Sequence, residues 1–239
     1  MTDEKNANRT AVALGNFDGI HIGHMAVLDA AKSFKRDGLV PVAVLFDEHS
    51  LKAITGIAPP MLMTVADRNE FIINSGLSLK TLIFSEIKNL SPEDFVEKIL
   101  VEKLGAGAVC CGYNYRFGKN ATGSAVTLQQ ICNRLGIACK IAKEVDVAGN
   151  AVSSTEIRSL IEFGDIEKAN RMLGHKFGFS APVIDGDKRG RTLGFPTVNQ
   201  EIPPELVMPK FGVYRTDVTV GNRRYKGVTN IGKRPTVGT

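Results

Sequence analysis

The sequence predicts an α/β fold, a parallel sheet covered by helices, followed by a shorter β-rich part. Three observations carry this. Short apolar runs alternate with helical patterns through the first two thirds of the 239 residues. Those runs are continuously apolar rather than alternating, as strands buried on both faces are. From Gly174 onward Gly and Pro become frequent and the pattern turns to β.

The elements follow in order. Ala11 to Gly15 reads as a buried strand. His24 to Arg36 reads as a helix with Ala26, Val27, Ala30, Ala31 and Phe34 on one side, stopped by Gly38. Val40 to Phe46 is a second strand, Thr64 to Ser75 a helix closed by Gly76, and Lys80 to Phe84 a third strand. Ser91-Pro92-Glu93-Asp94 opens a helix that runs to Leu104, with a capping hydroxyl, Pro in the first turn and carboxylates at the positive end of the dipole. Gly107 to Gly112 is a fourth strand, Ser124 to Leu135 a helix and Ile137 to Ala142 a fifth strand. Two short helices, Glu156 to Phe163 and Ile166 to Leu173, end this part. Beyond them, Phe211 to Val220 and Arg223 to Thr229 flank Gly221-Asn222 as a hairpin. The expected division is 1–173 and 174–239.

Bulk properties exclude little but narrow the field. Hydrophobic residues make up 43% and charged residues 23%, ordinary for a globular protein. The longest apolar stretch, Val40 to Phe46, is far short of the roughly 18 residues a membrane span needs. Met1 to Thr10 is polar and lacks a signal-peptide core, so a cytoplasmic location is expected. The net charge of +5 suits anionic ligands such as nucleotides without requiring nucleic acid, and neither nucleic acid nor membrane is an expected partner. Cys110, Cys111, Cys132 and Cys139 form no C-x-x-C pair and read as buried reduced thiols.

Ligands of parallel sheets lie beyond the carboxyl ends of the strands. Directly after the first strand comes Gly15-Asn16-Phe17-Asp18-Gly19-Ile20-His21-Ile22-Gly23-His24. It is a glycine-bearing turn that delivers two imidazoles to a helix N-terminus, where N–H groups and dipole favour phosphate. Gly23 allows close backbone approach, and His21 and His24 can donate hydrogen bonds to a phosphate in flight. A second element, Val152-Ser153-Ser154-Thr155-Glu156-Ile157-Arg158, opens a helix with hydroxyls and sets an Arg one turn in, a second phosphate cradle. In the β-rich part, a glycine-rich run from Gly186 through Lys188, Gly190 and Gly194 leads to Pro196-Thr197-Val198-Asn199. Thr197 and Asn199, two apart on a strand, would share one face and offer oxygens to Mg²⁺ held by nucleotide phosphates.

These motifs together resemble the bacterial bifunctional riboflavin kinase/FMN adenylyltransferases. GNFDGIHIGH and SSTEIR resemble that family's nucleotidyltransferase part, and Gly112-Tyr113-Asn114-Tyr115-Arg116-Phe117-Gly118 resembles a third segment of its flavin and nucleotide site. P-T-V-N, Gly212-Val213-Tyr214 and Asn230-Ile231-Gly232-Lys233-Arg234-Pro235-Thr236 resemble its riboflavin kinase part. The resemblance implies a Rossmann-like nucleotidyltransferase domain followed by a partial riboflavin-kinase-like β-barrel. It implies that His21, His24 and Arg158 act in catalysis, and that Gly15, Asn16, Phe17, Asp18, Gly23, Ser153, Ser154 and Thr155 bind ATP. Asn114 and Arg116 would meet the flavin. Gly186, Lys188, Gly190, Gly194, Pro196, Thr197 and Asn199 would bind ATP for the kinase step, with Thr197 and Asn199 at Mg²⁺. The implied reactions are AMP transfer from ATP to FMN, and phosphorylation of riboflavin by ATP.

Two departures stand out. The family's F-x-P-H-P after the second strand is here Phe46-Asp47-Glu48-His49-Ser50, which keeps the histidine and loses both prolines. The family's kinase base, a Glu, lies beyond the N-I-G-x-R-P-T segment, and this sequence ends at Thr239. A truncated chain without kinase turnover is therefore expected. Another H-x-G-H nucleotidyltransferase and a non-catalytic flavin-binding protein remain as alternatives.

Overall fold

The computed structural model describes residues 9–47, 56–186, 194 and 197–232. Five strands form a parallel sheet: β1 (Thr10–Leu14), β2 (Val40–Phe46), β3 (Ser78–Leu82), β4 (Ala106–Gly112) and β5 (Ala138–Ala142). Their order is β3-β2-β1-β4-β5. Val12 of β1 is paired with Val42 of β2 and with Val109 of β4. The strand order therefore reverses between β1 and β4, and the crevice at their carboxyl ends is where doubly wound sheets take ligands.

Alternation along the strands divides two cores. Ala11, Ala13, Ala43, Ala108 and Cys110 point to one face, beneath α1 (Ile22–Ser33) and α2 (Val65–Asn74). Four of these five are alanines, so α1 can lie close on the sheet. Val12, Leu14, Val44, Val109 and Cys111 point to the other face, where Phe95, Val96 and Leu100 of α3 (Phe95–Lys103) and Leu128, Ile131 and Cys132 of α4 (Ala125–Arg134) cover them. Cys110 and Cys111 thus lie on opposite sides of the sheet, and burial pushes both thiols up to about 12. All four cysteines are free; Cys110, Cys111 and Cys132 are buried as expected, whereas Cys139 is only half-buried.

Several boundaries differ from expectation for identifiable reasons. α1 starts at Ile22 because His21 itself is the N-cap, and the chain tightens into a 3-10 turn at Phe34–Asp37 before Gly38 (φ 76°). The third strand is Ser78–Leu82 and not Lys80 to Phe84. Asp47 accepts from the Phe84 N–H at 2.8 Å, and a helical turn, Phe84–Ile87, begins there. The helix after Ser91 opens at Pro92–Asp94 but continues with wide π-type winding, so that the Leu104 N–H reaches the Ile99 carbonyl at 3.0 Å. That winding turns Phe95 and Leu100, five apart, to the same core.

A third core joins α5 (Ser154–Phe163) and α6 (Ile166–Leu173) through Ile157, Leu160, Ile161, Ala169, Met172 and Leu173, and it also takes in Leu62 and Val207. Met61 bridges Leu206 in parallel, the Met61 N–H donating to the Glu205 carbonyl at 2.7 Å and the Val207 N–H to the Met61 carbonyl at 2.8 Å. A segment of the β-rich part is therefore built into the core of the first part. The antiparallel hairpin β6 (Gly212–Val220) and β7 (Arg223–Ile231) forms as expected around Gly221. The strand expected at Thr197 to Asn199 is reduced to a single bridge, Ile184 to Asn199, between prolines at 196, 203 and 204 that cannot donate to a ladder. Among the described residues, no helix is long and apolar enough to cross a membrane.

Candidate active site

The turn after β1 is strained in a way that fits a binding loop. Phe17 (φ 50°), Gly19 (φ 77°) and Ile20 (φ 41°) all have left-handed backbone, which costs a non-glycine residue about 1–2 kcal/mol. Burial of the Phe17 and Ile20 side chains offsets that strain. At Gly19 a side chain would also collide with Leu62, whose Cβ lies 2.8 Å from the place a Cβ would take.

Asp18 is the hub. Its side chain is buried, and its Oδ1 accepts from the Leu62 N–H at 2.8 Å while Oδ2 pairs with the Arg158 guanidinium. Arg158 donates a further bond from Nε to the Pro60 carbonyl at 2.6 Å, and Ser154 Oγ donates to the Asp18 carbonyl at 3.0 Å. One carboxylate thus ties together the β1 turn, the 60–62 segment and the first turn of α5. Arg158 is oriented by these partners, and Asp18 spends its carboxylate on them.

The two histidines stand beside this hub. His21 Nδ1 accepts from the His24 N–H at 3.2 Å, which closes the first turn of α1 and leaves the neutral ring's proton on Nε2. The two rings stack at 3.6 Å with 15° between planes, and Phe17 meets His24 edge-on at 5.4 Å. Gly23 leaves room for the stack, since a Cβ there would sit 3.2 Å from the His21 ring and press on it. Burial lowers the His21 pKa to about 4, with a further push from Arg158. Burial and the adjacent His21 hold His24 well below its ordinary value. Both imidazoles are therefore neutral N–H donors at pH 7, able to stabilise charge that develops on a phosphate.

The remaining expected residues divide. Gly15 and Asn16 lie at the end of β1, and a Cβ on Gly15 would press the Phe17 ring at 3.2 Å. Ser153 caps α5, accepting from the Glu156 N–H at 3.2 Å, and Thr155 is exposed in the first turn. Asn114 and Arg116 are exposed on the loop after β4, at the same crevice end of the sheet. In the β-rich part, Gly186 lies under Asn199, whose Nδ2 would be 2.3 Å from a Cβ, while Gly194 (φ 78°) and Thr197 are exposed. His49, Lys188, Gly190 and Pro196 lie outside the described residues.

Two contributors carried no sequence signal that singled them out. Arg68 of α2 donates from Nη1 to the Asn16 carbonyl at 3.3 Å. His175, just past α6, donates from Nε2 to the Gly19 carbonyl at 2.9 Å and packs on Phe71. The Pro60 carbonyl and the Leu62 N–H bond to the hub through backbone atoms, which no residue type announces. No cluster of three or more His, Cys, Asp or Glu suited to a metal ion occurs among the described residues.

Comparison with known proteins adds to this geometry. A family model described as FAD synthetase matches residues 3–156, and one described as riboflavin kinase matches residues 173–239. The chain is 33% identical over 236 residues to a Listeria monocytogenes protein named bifunctional riboflavin kinase/FMN adenylyltransferase, covering 97% of this chain and 74% of the relative. Proteins of the same name from Bacillus subtilis and Escherichia coli are 31% and 32% identical, each over 95% of this chain and 73% and 74% of the relative. A solved Streptococcus pneumoniae structure described as a macrolide-efflux protein superposes with a TM-score of 0.85 at 29% identity, over 96% of this chain and 76% of its own.

Proposed function

The chain belongs to the bacterial bifunctional riboflavin kinase/FMN adenylyltransferases, and on that premise we propose where and how its FAD-forming step occurs. AMP passes from ATP to FMN at the carboxyl ends of β1 and β4, over the cluster of His21, His24, Asp18 and Arg158. A phosphate oxygen of FMN attacks the α-phosphorus of ATP. The new P–O bond forms as the bond to the β-phosphate bridge oxygen breaks, and pyrophosphate leaves with that electron pair.

The residues align and neutralise, and no covalent enzyme intermediate is required. His21 Nε2–H and the His24 ring donate to the oxygens of the α-phosphate. Arg158, held by Asp18 and Pro60, opposes the negative charge of the leaving pyrophosphate. Gly15, Asn16, Phe17, Gly23, Ser153, Ser154 and Thr155 shape the ATP site, with the α1 and α5 N-termini facing it. Asp18 acts by positioning Arg158 and the turn. Asn114 and Arg116 contact the flavin. The observation that carries this reading is the stacked, neutral histidine pair beside a buried Arg158–Asp18 ion pair.

In this reading the adenylyl transfer belongs to residues 1–173 and riboflavin phosphorylation to residues 174–239. ATP binding there would involve Gly186, Lys188, Gly190, Gly194 and Pro196. Thr197 and Asn199 offer one hydroxyl and one amide oxygen, hard neutral donors that suit a Mg²⁺ ion mostly coordinated by phosphates and water. Asn199 resting on Gly186 supports this fit. When bound, Mg²⁺ would neutralise phosphate charge. Incubation with FMN, ATP and Mg²⁺ should yield FAD and pyrophosphate in equal amounts, and His24→Ala should abolish the yield while the protein stays folded. A folded wild-type chain that makes no FAD would refute the proposal.

A further inference from the structure

Arg68 borders the β1 turn and, among the described residues, has no direct carboxylate partner. Its Nη1 donates to the Asn16 carbonyl at 3.3 Å, the single hydrogen bond it makes among the described residues. Its Nε is buried without a partner. An arginine carries five N–H donors and stays charged in proteins, so leaving them undersatisfied away from water is costly. Buried polar atoms without partners are uncommon in folded proteins, and among the described residues they are His24 Nδ1, Arg68 Nε and Asn69 Oδ1. Two of the three belong to groups that border the β1 turn.

Charge gives the same answer. The hub holds one carboxylate, Asp18, and two guanidiniums, Arg158 and Arg68, while both histidines are neutral. Arg158 takes Asp18 for itself through a direct bond. Arg68 feels Asp18 only at a distance, and its burial is the larger influence, disfavouring the charge. These groups of the hub therefore sum to one excess positive charge at the mouth of the β1–β4 crevice. Arg68 is half-buried: its Nε is shut away without a partner, while its Nη1 contact with Asn16 is exposed and so open to a ligand.

We propose that Arg68 is a substrate-binding residue of the adenylyl-transfer site, donating to phosphate oxygens opposite Arg158. The inference rests on the FAD-forming reading of the same site. Its anchor on the Asn16 carbonyl sets the guanidinium against the ATP-binding turn. The phosphate belongs either to ATP or to FMN, and the two sources are separable.

The test uses the full chain with Arg68→Gln and Arg68→Lys, read by steady-state FAD formation. KM is measured for ATP and FMN, and inhibition constants for adenosine and lumiflavin, which carry the same rings without phosphate. Arg68→Gln should raise KM for one phosphorylated substrate roughly ten- to hundredfold, the range for a charge-assisted hydrogen bond. The inhibition constant of the matching phosphate-free compound should not change, and Arg68→Lys should recover part of the loss. A rise for ATP assigns the nucleotide phosphates, and a rise for FMN assigns the flavin phosphate. Unchanged KM values, or equal weakening of phosphorylated and phosphate-free ligands at an unchanged melting temperature, would overturn the proposal. Wild-type protein that forms no FAD would instead remove the functional reading on which it rests.

Discussion

The guanidinium of Arg158 is bonded to the carboxylate of Asp18 across 140 residues of sequence, with both side chains largely buried. Removing one partner of such a pair leaves the other charge uncompensated. Asp18→Asn keeps the shape but removes the charge. It should destabilise the protein by about 3 kcal/mol, read from the urea midpoint. FAD formation should fall at the same time, because Arg158 loses its orientation. An unchanged midpoint would mean that the pair does not hold the turn.

The histidine pair makes stability depend on pH in a definite direction. A His21 pKa lowered from 6.5 to about 4 means that the unfolded chain binds a proton that the folded chain refuses between those values. The stabilisation is complete above pH 6.5 and is lost as pH falls towards 4, by about 3 kcal/mol for this group. His24 adds in the same sense. Carboxylates titrate nearby, so the comparison is with His21→Asn, which keeps a capping side chain. The variant should show a shallower loss of unfolding free energy between pH 6.5 and pH 4.5. Parallel curves for the two proteins would contradict the assignment.

Gly23 is where a small change should separate activity from stability. A Cβ would lie 3.2 Å from the His21 ring, so Gly23→Ala displaces an imidazole while improving helix propensity by up to about 1 kcal/mol. The expected result is a drop in kcat of about ten- to hundredfold with no loss of melting temperature. Normal turnover in Gly23→Ala would show that the stacked ring position is not the working one.

The β-rich part contributes to the first part's core through Val207, which is fully buried beside Leu62, Ile157 and Ile161. Val207→Ala should cost about 2 kcal/mol of the stability of the whole chain, seen as a lower melting temperature in a single transition. Two separated transitions, with only the smaller one moved, would mean that the halves unfold independently.

Much of this was legible because it rests on local periodicity. Uniform apolar strands and amphipathic helices announce a buried parallel sheet, and the turn after β1 announces itself through Gly15, His21, Gly23 and His24. What stayed hidden depends on distant contacts. Asp18 reads as a ligand contact from its place in the motif, yet its carboxylate is taken by Leu62 and Arg158, which lie 44 and 140 residues away. Arg68 looks like any solvated arginine on α2, and only its link to Asn16 distinguishes it. The bonds from the Pro60 carbonyl and the Leu62 N–H are made by backbone atoms that have no sequence signature. The register of β3 and the winding of α3 depend on Asp47 and on core packing, neither of which a period conveys.

The proposed central step is transfer of an adenylyl group at the His21–His24–Arg158 cluster. Its most direct test supplies ATP labelled at the α-phosphorus together with FMN and Mg²⁺, to wild-type protein and to His24→Ala. The label should appear in FAD with wild type, and His24→Ala should slow its appearance by about a hundredfold or more while remaining folded. Label that stays in ATP with wild type, or reaches FAD equally fast with His24→Ala, would contradict the account.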